Sequence, residues 1–429
     1  MNRREFLQTT TTASAAYSLI GNSRAWAGAN DRIRVAILGL GWRGGVLLPE
    51  AIKLPGVEVA ALCDPDRDRL QQAADVLEKA TGKKARLETD MRRIMDDPSI
   101  DAVTVCTPNH WHALAGIWAC QAGKHIYMEK PVSHNISEGR KLVNAARKYN
   151  RIAQGGTQRR SNGRIRKAME LLHGGVIGDI YMARAIVFGV RDSIGFKPVG
   201  PPPANLEWNT WLGPAPEQPY HANLVHYNWH WFWDFGCGEL GNNGSHQLDV
   251  ARWGLQKGLP SKVYSTGGRL GYKDQAQTPN TQIATYDYPD GTMLVCETRG
   301  LYTNAEGGVK WGVHFYGSKG YLSIDPKGMY QVFMGRSEKP EPDPGTLDEI
   351  DHYGNFFDAV RAGKREMLRA DIEETFLSNS ICHLGNISYR LGRKLDFDAK
   401  TERFVSDNEA NGMLTRKYRA PFVLPEVKV

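Results

Sequence analysis

Two residues able to exchange a proton, Glu129 and Lys130, follow the apolar run 125–128 and are followed by Pro131. If this run is a strand of a parallel sheet, the lysine lies at its carboxyl end, where the ligands of such sheets bind. A lysine there could hold a substrate hydroxyl, and burial would lower its pKa and help it to take up the hydroxyl proton. The alternative is a solvated lysine in an ordinary turn. The motif therefore makes Lys130 a candidate catalytic group.

A glycine motif near the start of the chain predicts a dinucleotide site. Gly39, Gly41 and Gly44 have the G-x-G-x-x-G spacing, and Trp42 and Arg43 lie between the last two glycines. The motif follows a predicted strand and opens a predicted helix, which is the context in which this spacing binds a pyrophosphate. Glycine lets the backbone approach the phosphates, and the helix N-terminus carries partial positive charge.

An acidic residue indicates which dinucleotide is bound. Asp64 ends the second apolar run, 20 residues after Gly44, where a carboxylate can accept hydrogen bonds from the adenosine ribose hydroxyls. The same carboxylate would repel a 2′-phosphate, so the sequence favours NAD over NADP. Arg43 leaves the alternative open, because its guanidinium could partly neutralise a phosphate.

Further polar and aromatic residues are candidates for the same edge of the sheet. Thr107 and Asn109 end another predicted strand and either contact the cofactor or form an ordinary turn. The segment 227–234 is dense in aromatic residues, whose faces could pack on the C–H surface of a ligand, although much of the segment could be core. Four further residues are candidates for contacts with the substrate: Gln158, Arg159, His230 and Trp231.

The elements that must position these residues divide the chain into two domains. In the Rossmann domain, 31–155, apolar strands at 33–38, 57–63, 102–106, 125–128 and 152–154, with a weaker one near Arg86, alternate with helices at 66–80, 110–122 and 137–149. In the second domain, 156–429, we expect an open, mostly antiparallel sheet from strands at 180–190, 262–272, 281–288, 292–298, 312–316 and 320–324, with helices at 353–362 and 372–390. Proline-rich stretches at 201–203 and 213–219 predict a long functional loop. The fold class is α/β.

Composition excludes several classes of protein. The 429 residues are 41% hydrophobic and 24% charged, which is typical of a globular enzyme and not of a fibrous or disordered chain. The net charge of +7 includes no run of Lys and Arg, so no nucleic-acid partner is expected. The six cysteines lack metal or redox spacing and are expected to be free, and we expect no metal site.

The N-terminus resembles a twin-arginine export signal. Arg3 and Arg4 precede a weakly apolar stretch, and Ala25 and Ala27 form an A-x-A cleavage pattern. We expect residues 1–27 to be removed after passage through the Tat translocase, leaving a soluble periplasmic protein without a membrane anchor. The alternative is an arginine-containing disordered tail.

Taken together, the glycine loop, Asp64, residues 107–112 and residues 129–131 resemble the Gfo/Idh/MocA family of oxidoreductases over nearly the whole mature chain. The resemblance implies a Rossmann domain followed by an α/β domain whose open sheet often mediates oligomerisation, so a homo-oligomer is expected. It implies NAD or NADP as cofactor and a sugar, inositol or related carbohydrate as substrate. Among the implied cofactor contacts are His112, Glu129 and Lys130.

The family also has an Asp-x-x-x-His motif on a helix, and this chain departs from it. The matching run is 241–246, in which His246 is present but Asn242 replaces the aspartate, followed by Asn243 as a candidate substrate contact. The resemblance implies that His246 is a general acid or base, or binds a hydroxyl, whereas an amide cannot take a proton or stabilise an imidazolium as a carboxylate would. His246 could instead be a capping or core residue.

Three functional hypotheses follow. The first is an NAD-dependent oxidoreductase acting at a carbinol carbon of a sugar, polyol or glycoside, with Lys130, His246 and Asn242 at the reaction centre. The second is a redox-neutral glycoside-cleaving enzyme with NAD, favoured by Asn242 and by export, because an exported enzyme has no free NAD pool and must keep its cofactor tightly bound. The third is a non-catalytic dinucleotide-binding protein.

Overall fold

A computed structural model describes residues 32–337 and 347–427. The predicted export signal, residues 1–27, lies outside these ranges. Within them the chain forms a six-stranded sheet followed by a nine-stranded sheet, which is the order of the two domains that the sequence predicts, although it predicts only six of the nine strands.

The N-terminal sheet has the Rossmann strand order β3-β2-β1-β4-β5-β6, and every neighbouring pair is parallel. Its strands are β1 (Ile33–Leu38), β2 (Val57–Cys63), β3 (Arg86–Glu88), β4 (Ala102–Val105), β5 (His125–Met128) and β6 (Ala153–Gly155). The predicted strands all lie within one or two residues of these bounds. Because the strands are parallel, their carboxyl ends share one edge of the sheet.

Helices connect these strands and begin at predictable residues. They are α1 (Trp42–Lys53), α2 (Arg67–Thr81), α3 (Arg92–Met95), α4 (Asn109–Gln121) and α5 (Ile136–Lys148). The Asp66 carboxylate accepts hydrogen bonds from the Asp68 and Arg69 amides and so caps α2, and Gly82 ends this helix in the left-handed conformation. Asn135 caps α5 in the same way, by accepting a hydrogen bond from the Glu138 amide, so polar residues mark the starts of α2 and α5 in the sequence.

The second sheet has the order β13-β12-β11-β7-β10-β9-β8-β14-β15. Its strands are β7 (Ile180–Phe188), β8 (Lys262–Gly268), β9 (Thr281–Asp287), β10 (Met293–Arg299), β11 (Trp311–Gly317), β12 (Gly320–Ile324), β13 (Tyr330–Met334), β14 (Leu395–Asp398) and β15 (Arg403–Phe404). The sheet is mostly antiparallel as predicted, but β7 and β10 are parallel neighbours. Chain order alone does not show this pairing, since β10 reaches β7 only after the β8–β9 hairpin.

The helices of the second domain are α6 (Gly163–His173), α7 (Trp208–Leu212), α8 (Gly238–Asn242), α9 (Gly244–Leu255), α10 (His352–Ala362), α11 (Ile372–Leu391) and α12 (Asn408–Gly412). Of these, α9 packs on β7 and α11 packs on β8, and α11 also packs on α5 of the Rossmann domain. One hydrophobic cluster runs through both domains, with Ile126 from the first and Phe376 from α11 both fully buried in it. The two domains are therefore joined by a continuous core. No helix in the described ranges is long and apolar enough to cross a membrane.

The proline-rich loop expected between β7 and α8 is an ordered unit, which we call the bridging segment (residues 191–236). It contains α7 and a short 3-10 helix, Asn228–Trp231, and it has its own apolar cluster that includes Leu206, Trp211 and Phe235. Its length is therefore accounted for by a small core of its own.

Candidate active site

The glycine loop has the shape that a dinucleotide pyrophosphate needs. Gly39 has φ +85°, and a Cβ there would lie 2.7 Å from the Cys106 carbonyl carbon. A Cβ on Gly44 would lie 2.0 Å from the Gly39 oxygen, whereas a Cβ on Gly41 would meet nothing within 4 Å. The first and third glycines thus close the turn, and the second leaves open space beside the start of α1. The residues present fit the dinucleotide.

Asp64 lies beside this loop at the end of β2. Its carboxylate accepts hydrogen bonds from the Leu40 amide, at 2.6 Å, and from the Asp66 amide, at 2.9 Å. Burial raises the pKa of Asp64 to about 6, with the two amides opposing the rise, so the group is a carboxylate at neutral pH. Trp42, at the start of α1, is 76% exposed.

Arg43 points away from the adenosine end of the site. Its Nε donates to Glu129 Oε1 at 2.6 Å, and Gln158 Nε2 donates to the same oxygen at 3.1 Å. Glu129 is buried, and a Cβ on Gly156 would lie 2.8 Å from its carboxyl group. The Arg43 guanidinium therefore pairs with the Glu-Lys-Pro motif. Gln158 Nε2 also donates to the Tyr127 hydroxyl, at 3.1 Å. Arg43 is not placed to neutralise a 2′-phosphate beside Asp64.

Lys130 contacts the run 241–246 of the second domain. Its Nζ donates to the Asn242 backbone oxygen at 2.7 Å and to Asn242 Oδ1 at 3.3 Å. Desolvation lowers the pKa of Lys130, while the carboxylates of Glu129 and Glu239 act against this. The structure thus brings together the candidate lysine and the amide that replaces the family's aspartate.

His246 lies in the first turns of α9 and shares the electrostatic environment of Lys130. Burial lowers the pKa of His246 well below its ordinary value, and the positive charges of Lys130 and Arg159 lower it further. Its Nδ1 is buried without a hydrogen-bond partner among the described residues. The imidazole is therefore neutral and keeps one ring nitrogen unengaged by the protein.

Glu239 is a site residue that the sequence reasoning missed. It is buried on α8 and accepts hydrogen bonds from the Arg191 guanidinium, at 2.9 and 3.1 Å, and from the Asn243 side chain. Its charge acts on the pKa values of both Lys130 and His230. The sequence signal for Glu239 was a charged residue among closely spaced glycines, Gly236, Gly238, Gly241 and Gly244. Asn243, a predicted substrate contact, is thus held by Glu239.

The aromatic segment divides between the site and the core. His230 Nδ1 lies 2.7 Å from the Tyr227 carbonyl oxygen, and its buried Nε2 has no partner in the described part of the chain. Burial lowers the pKa of His230 to about 4. Trp231 is 2% exposed in the apolar cluster of the bridging segment, with the Arg269 guanidinium 4.5 Å from its ring centroid, so it contributes to packing there.

The turn after β4 is tied to the Glu-Lys-Pro motif through His112. The His112 ring nitrogens lie 2.6 Å from the Pro131 carbonyl oxygen and 2.7 Å from the Thr107 carbonyl oxygen. Thr107 Oγ1 is buried without a partner within the described ranges, and Asn109 is the first residue of α4. His112 therefore positions two loops of the sheet edge and has both ring nitrogens engaged by the protein.

Arg159 lines a cavity of about 480 Å³ together with Arg43, Gln158, Lys327 and His352. Its guanidinium donates to the carbonyl oxygen of Asp325, the residue after β12, at 2.8 Å, and burial lowers the pKa of Arg159 to about 10. Its charge also lowers the pKa of His246.

Known proteins share both domains. Residues 33–157 match the model of the Gfo/Idh/MocA oxidoreductase family for its NAD-binding Rossmann fold, and residues 192–424 match the model for that family's C-terminal alpha/beta domain. An uncharacterized oxidoreductase, YrbE of Bacillus subtilis, is 25% identical over 296 residues, which are 68% of this chain and 74% of that protein. A glycosyl hydrolase family 109 protein of Stenotrophomonas maltophilia is 40% identical over 136 residues, 30% of this chain and 29% of that protein.

Solved structures show the same fold. The WlbA dehydrogenase of Bordetella pertussis, in complex with NADH and UDP-GlcNAcA, has a TM-score of 0.65 at 20% identity, covering 86% of this chain and 99% of that one. Levoglucosan dehydrogenase, in complex with NADH and L-sorbose, has a TM-score of 0.66 at 18% identity, covering 85% and 99%.

Proposed function

We propose that this chain, which belongs to the Gfo/Idh/MocA oxidoreductase family, catalyses hydride transfer between NAD and a carbinol carbon of a sugar, polyol or glycoside. The observation that carries the proposal is the meeting of Lys130 and Asn242, next to His246, at the carboxyl edge of the NAD-binding sheet. A bound nicotinamide ring supplies the acceptor or donor of the hydride.

The chain's own residues handle the proton. Oxidation of a carbinol removes a hydride from carbon and a proton from oxygen, so a base must face the hydroxyl. A neutral Lys130 amine can accept that proton, and its lowered pKa makes the neutral form more accessible near pH 7. The neutral His246 imidazole can hold the same hydroxyl through its unengaged nitrogen. In the reverse direction the protonated amine returns the proton.

The test uses the purified holoprotein with a panel of sugars, polyols and glycosides. We expect nicotinamide absorbance to rise with at least one of them, and to rise far more slowly in Lys130→Met. Tight cofactor retention with no absorbance change and no product from any compound would contradict the proposal.

A second candidate function is redox-neutral cleavage of a glycoside. Two observations favour it, the amide at Asn242 in place of a carboxylate and the partial similarity to glycosyl hydrolase family 109 proteins. Oxidation of a ring hydroxyl would acidify the neighbouring C–H, loss of that proton would expel the aglycone, and addition of water with return of the hydride would give the free sugar. Release of sugar without net absorbance change would favour this reaction over the first.

Location and assembly are part of the proposal. The twin-arginine pattern at Arg3 and Arg4 supports export through the Tat translocase to the periplasm, with NAD carried as a tightly bound group. The exposed residues Tyr181, Ile283 and Met293 on the second sheet support a homo-oligomer formed through its open face. Separation of periplasmic from cytoplasmic and membrane fractions tests the location, and light scattering of the purified protein tests the assembly.

A further inference from the structure

We infer that the bridging segment of the second domain completes the adenosine end of the NAD site, so that the dinucleotide cannot leave unless this segment undocks. The inference deepens the cofactor part of the proposed function and does not depend on which carbohydrate reacts. It rests on where the segment contacts the Rossmann domain.

The first contact is made directly beside Asp64. Residues Asp66 and Leu206 form an antiparallel bridge, in which the Arg67 amide donates to the Asn205 oxygen at 3.0 Å and the Glu207 amide donates to the Pro65 oxygen at 2.9 Å. Backbone pairing of this kind extends the edge of the cofactor site with chain from the other domain.

Side chains reinforce this bridge around one carboxylate. Asn205 Nδ2 donates to Asp66 Oδ1 at 2.8 Å, and His226 Nε2 lies 3.0 Å from Asp66 Oδ2. Glu207 forms an ion pair with Arg67. Asp66 also caps α2, so the same residue fixes the helix and receives the bridging segment.

The second contact lies on the other side of the glycine loop. Trp111 Nε1 donates to the Trp211 oxygen at 3.1 Å, and His110 Nε2 lies 2.9 Å from the same oxygen. Gly213 has φ +50°, and a Cβ there would lie 2.2 Å from the Trp111 ring. In the sheet order, β1 with its glycine loop lies between β2 and β4, so the two contacts flank the cofactor site.

The bridging segment is held in place by its own packing. Its own apolar cluster contains Trp211, Leu224 and Phe232, and it also supplies His230 near Lys130. It therefore reaches from the adenosine end to the reaction centre. The Glu207 carboxylate of this segment joins those of Asp64 and Asp66 at the adenosine end, and it pairs with Arg67.

The experiment measures cofactor exchange without any substrate. Holoprotein is mixed with excess isotopically labelled NAD, and the label in the denatured protein is followed by mass spectrometry. The variant is Asn205→Ala with Glu207→Ala, and the matched control is Glu217→Ala, an exposed glutamate of the same segment. Loss of the two side-chain contacts should speed exchange about tenfold, because each is a hydrogen bond or ion pair of modest strength. The control should exchange at the parent rate, and excess NADP should not displace NAD from the parent.

Equal exchange rates in the parent and the double variant would overturn the inference. If the double variant does not fold, amide hydrogen exchange of the parent decides instead. NAD should slow exchange at Arg67 and Glu207, the two amides of the bridge, and unchanged exchange there would also overturn it. Neither result depends on sugar oxidation, so failure of the proposed reaction would be distinguishable.

Discussion

Arg43 of the glycine loop and Glu129 of the Glu-Lys-Pro motif form a partly buried ion pair, with Arg43 Nε 2.6 Å from Glu129 Oε1. The two residues follow β1 and β5, which are separated in the sheet by β4. The pair therefore joins the cofactor loop directly to the residue next to Lys130. This pair links cofactor binding to the position of the candidate catalytic amine.

The first prediction concerns that link. Glu129→Gln leaves the partly buried Arg43 guanidinium without its carboxylate, and loss of one partner of such a hydrogen bond should cost about 1–3 kcal/mol. We expect lower stability, weaker NAD binding and slower turnover in Glu129→Gln and in Arg43→Met. A double-mutant cycle by urea unfolding should give a coupling free energy above about 1 kcal/mol. Additive effects of the two substitutions would show that the pair carries no coupling.

The second prediction compares two neighbouring glycines of α1. Gly44→Ala places a Cβ 2.0 Å from the Gly39 oxygen, so the loop must shift, whereas a Cβ on Gly45 meets nothing within 4 Å. We expect Gly44→Ala to lose about 1–3 kcal/mol of unfolding free energy and most of its NAD affinity. Gly45→Ala should be neutral or up to about 1 kcal/mol more stable, because alanine is the better helix former. Calorimetric titration with NAD measures the affinity of each variant. Equal affinities would contradict the close approach of Gly44 to Gly39 as a requirement for NAD binding.

Patterning of the sequence predicts most of the Rossmann domain because local signals and tertiary structure agree there. The glycine loop, the capping Asp66 and the C-terminal Gly82 each mark a helix end in the sequence itself. In the second domain the parallel pairing of β7 and β10 is set by packing between distant strands, which no local pattern encodes. Short edge strands such as β14 and β15 carry too few residues to show alternation.

The candidate site divides in the same way. Lys130 and Asp64 could be found because each follows a recognisable strand. The Arg43–Glu129 pair could not, and the only signal for Glu239 was a charge among glycines, because the roles of these residues depend on which distant charge they meet. The bridging segment shows the same limit, since its prolines predict a loop but not the partners of Asp66.

The third prediction concerns the support of the His246 helix. Asp249, one turn after His246, is fully buried in a bidentate ion pair with Arg160 and accepts a hydrogen bond from Ser378 at 2.7 Å. Asp249→Ala leaves the buried Arg160 guanidinium with only the Glu374 carboxylate, at 3.6 Å, and should cost about 3–5 kcal/mol. The matched control is Glu170→Ala, which breaks an exposed pair with Lys167 and should cost less than about 1 kcal/mol. Denaturant unfolding of both variants is the measurement, and similar losses would refute a structural role for Asp249.

The fourth prediction concerns Lys130 itself. Lys130→Met removes the proton acceptor and should lower kcat/KM for carbinol oxidation by about 10²–10⁴-fold. Bound NAD, measured by mass spectrometry, should remain near one per chain because the glycine loop and Asp64 are untouched. A variant that loses cofactor and activity together would instead assign Lys130 to cofactor binding.

The last prediction concerns pH and Asn242. Oxidation requires the neutral amine of Lys130, so its rate should rise with pH and level off above the pKa of this group, which desolvation lowers from its ordinary value. Asn242 Oδ1 lies 3.3 Å from Lys130 Nζ, so Asn242→Asp places a negative charge beside the amine and favours its protonated form. The rise of the oxidation rate should therefore occur at higher pH in Asn242→Asp than in the parent. At a pH below this rise, the rate should fall about tenfold for each pH unit by which the rise is shifted. Asn242→Ala is the control, because it removes the amide without adding charge and should not shift the rise to higher pH by the same amount. A pH profile identical in Asn242→Asp and the parent would mean that Lys130 is not the group whose ionisation limits oxidation.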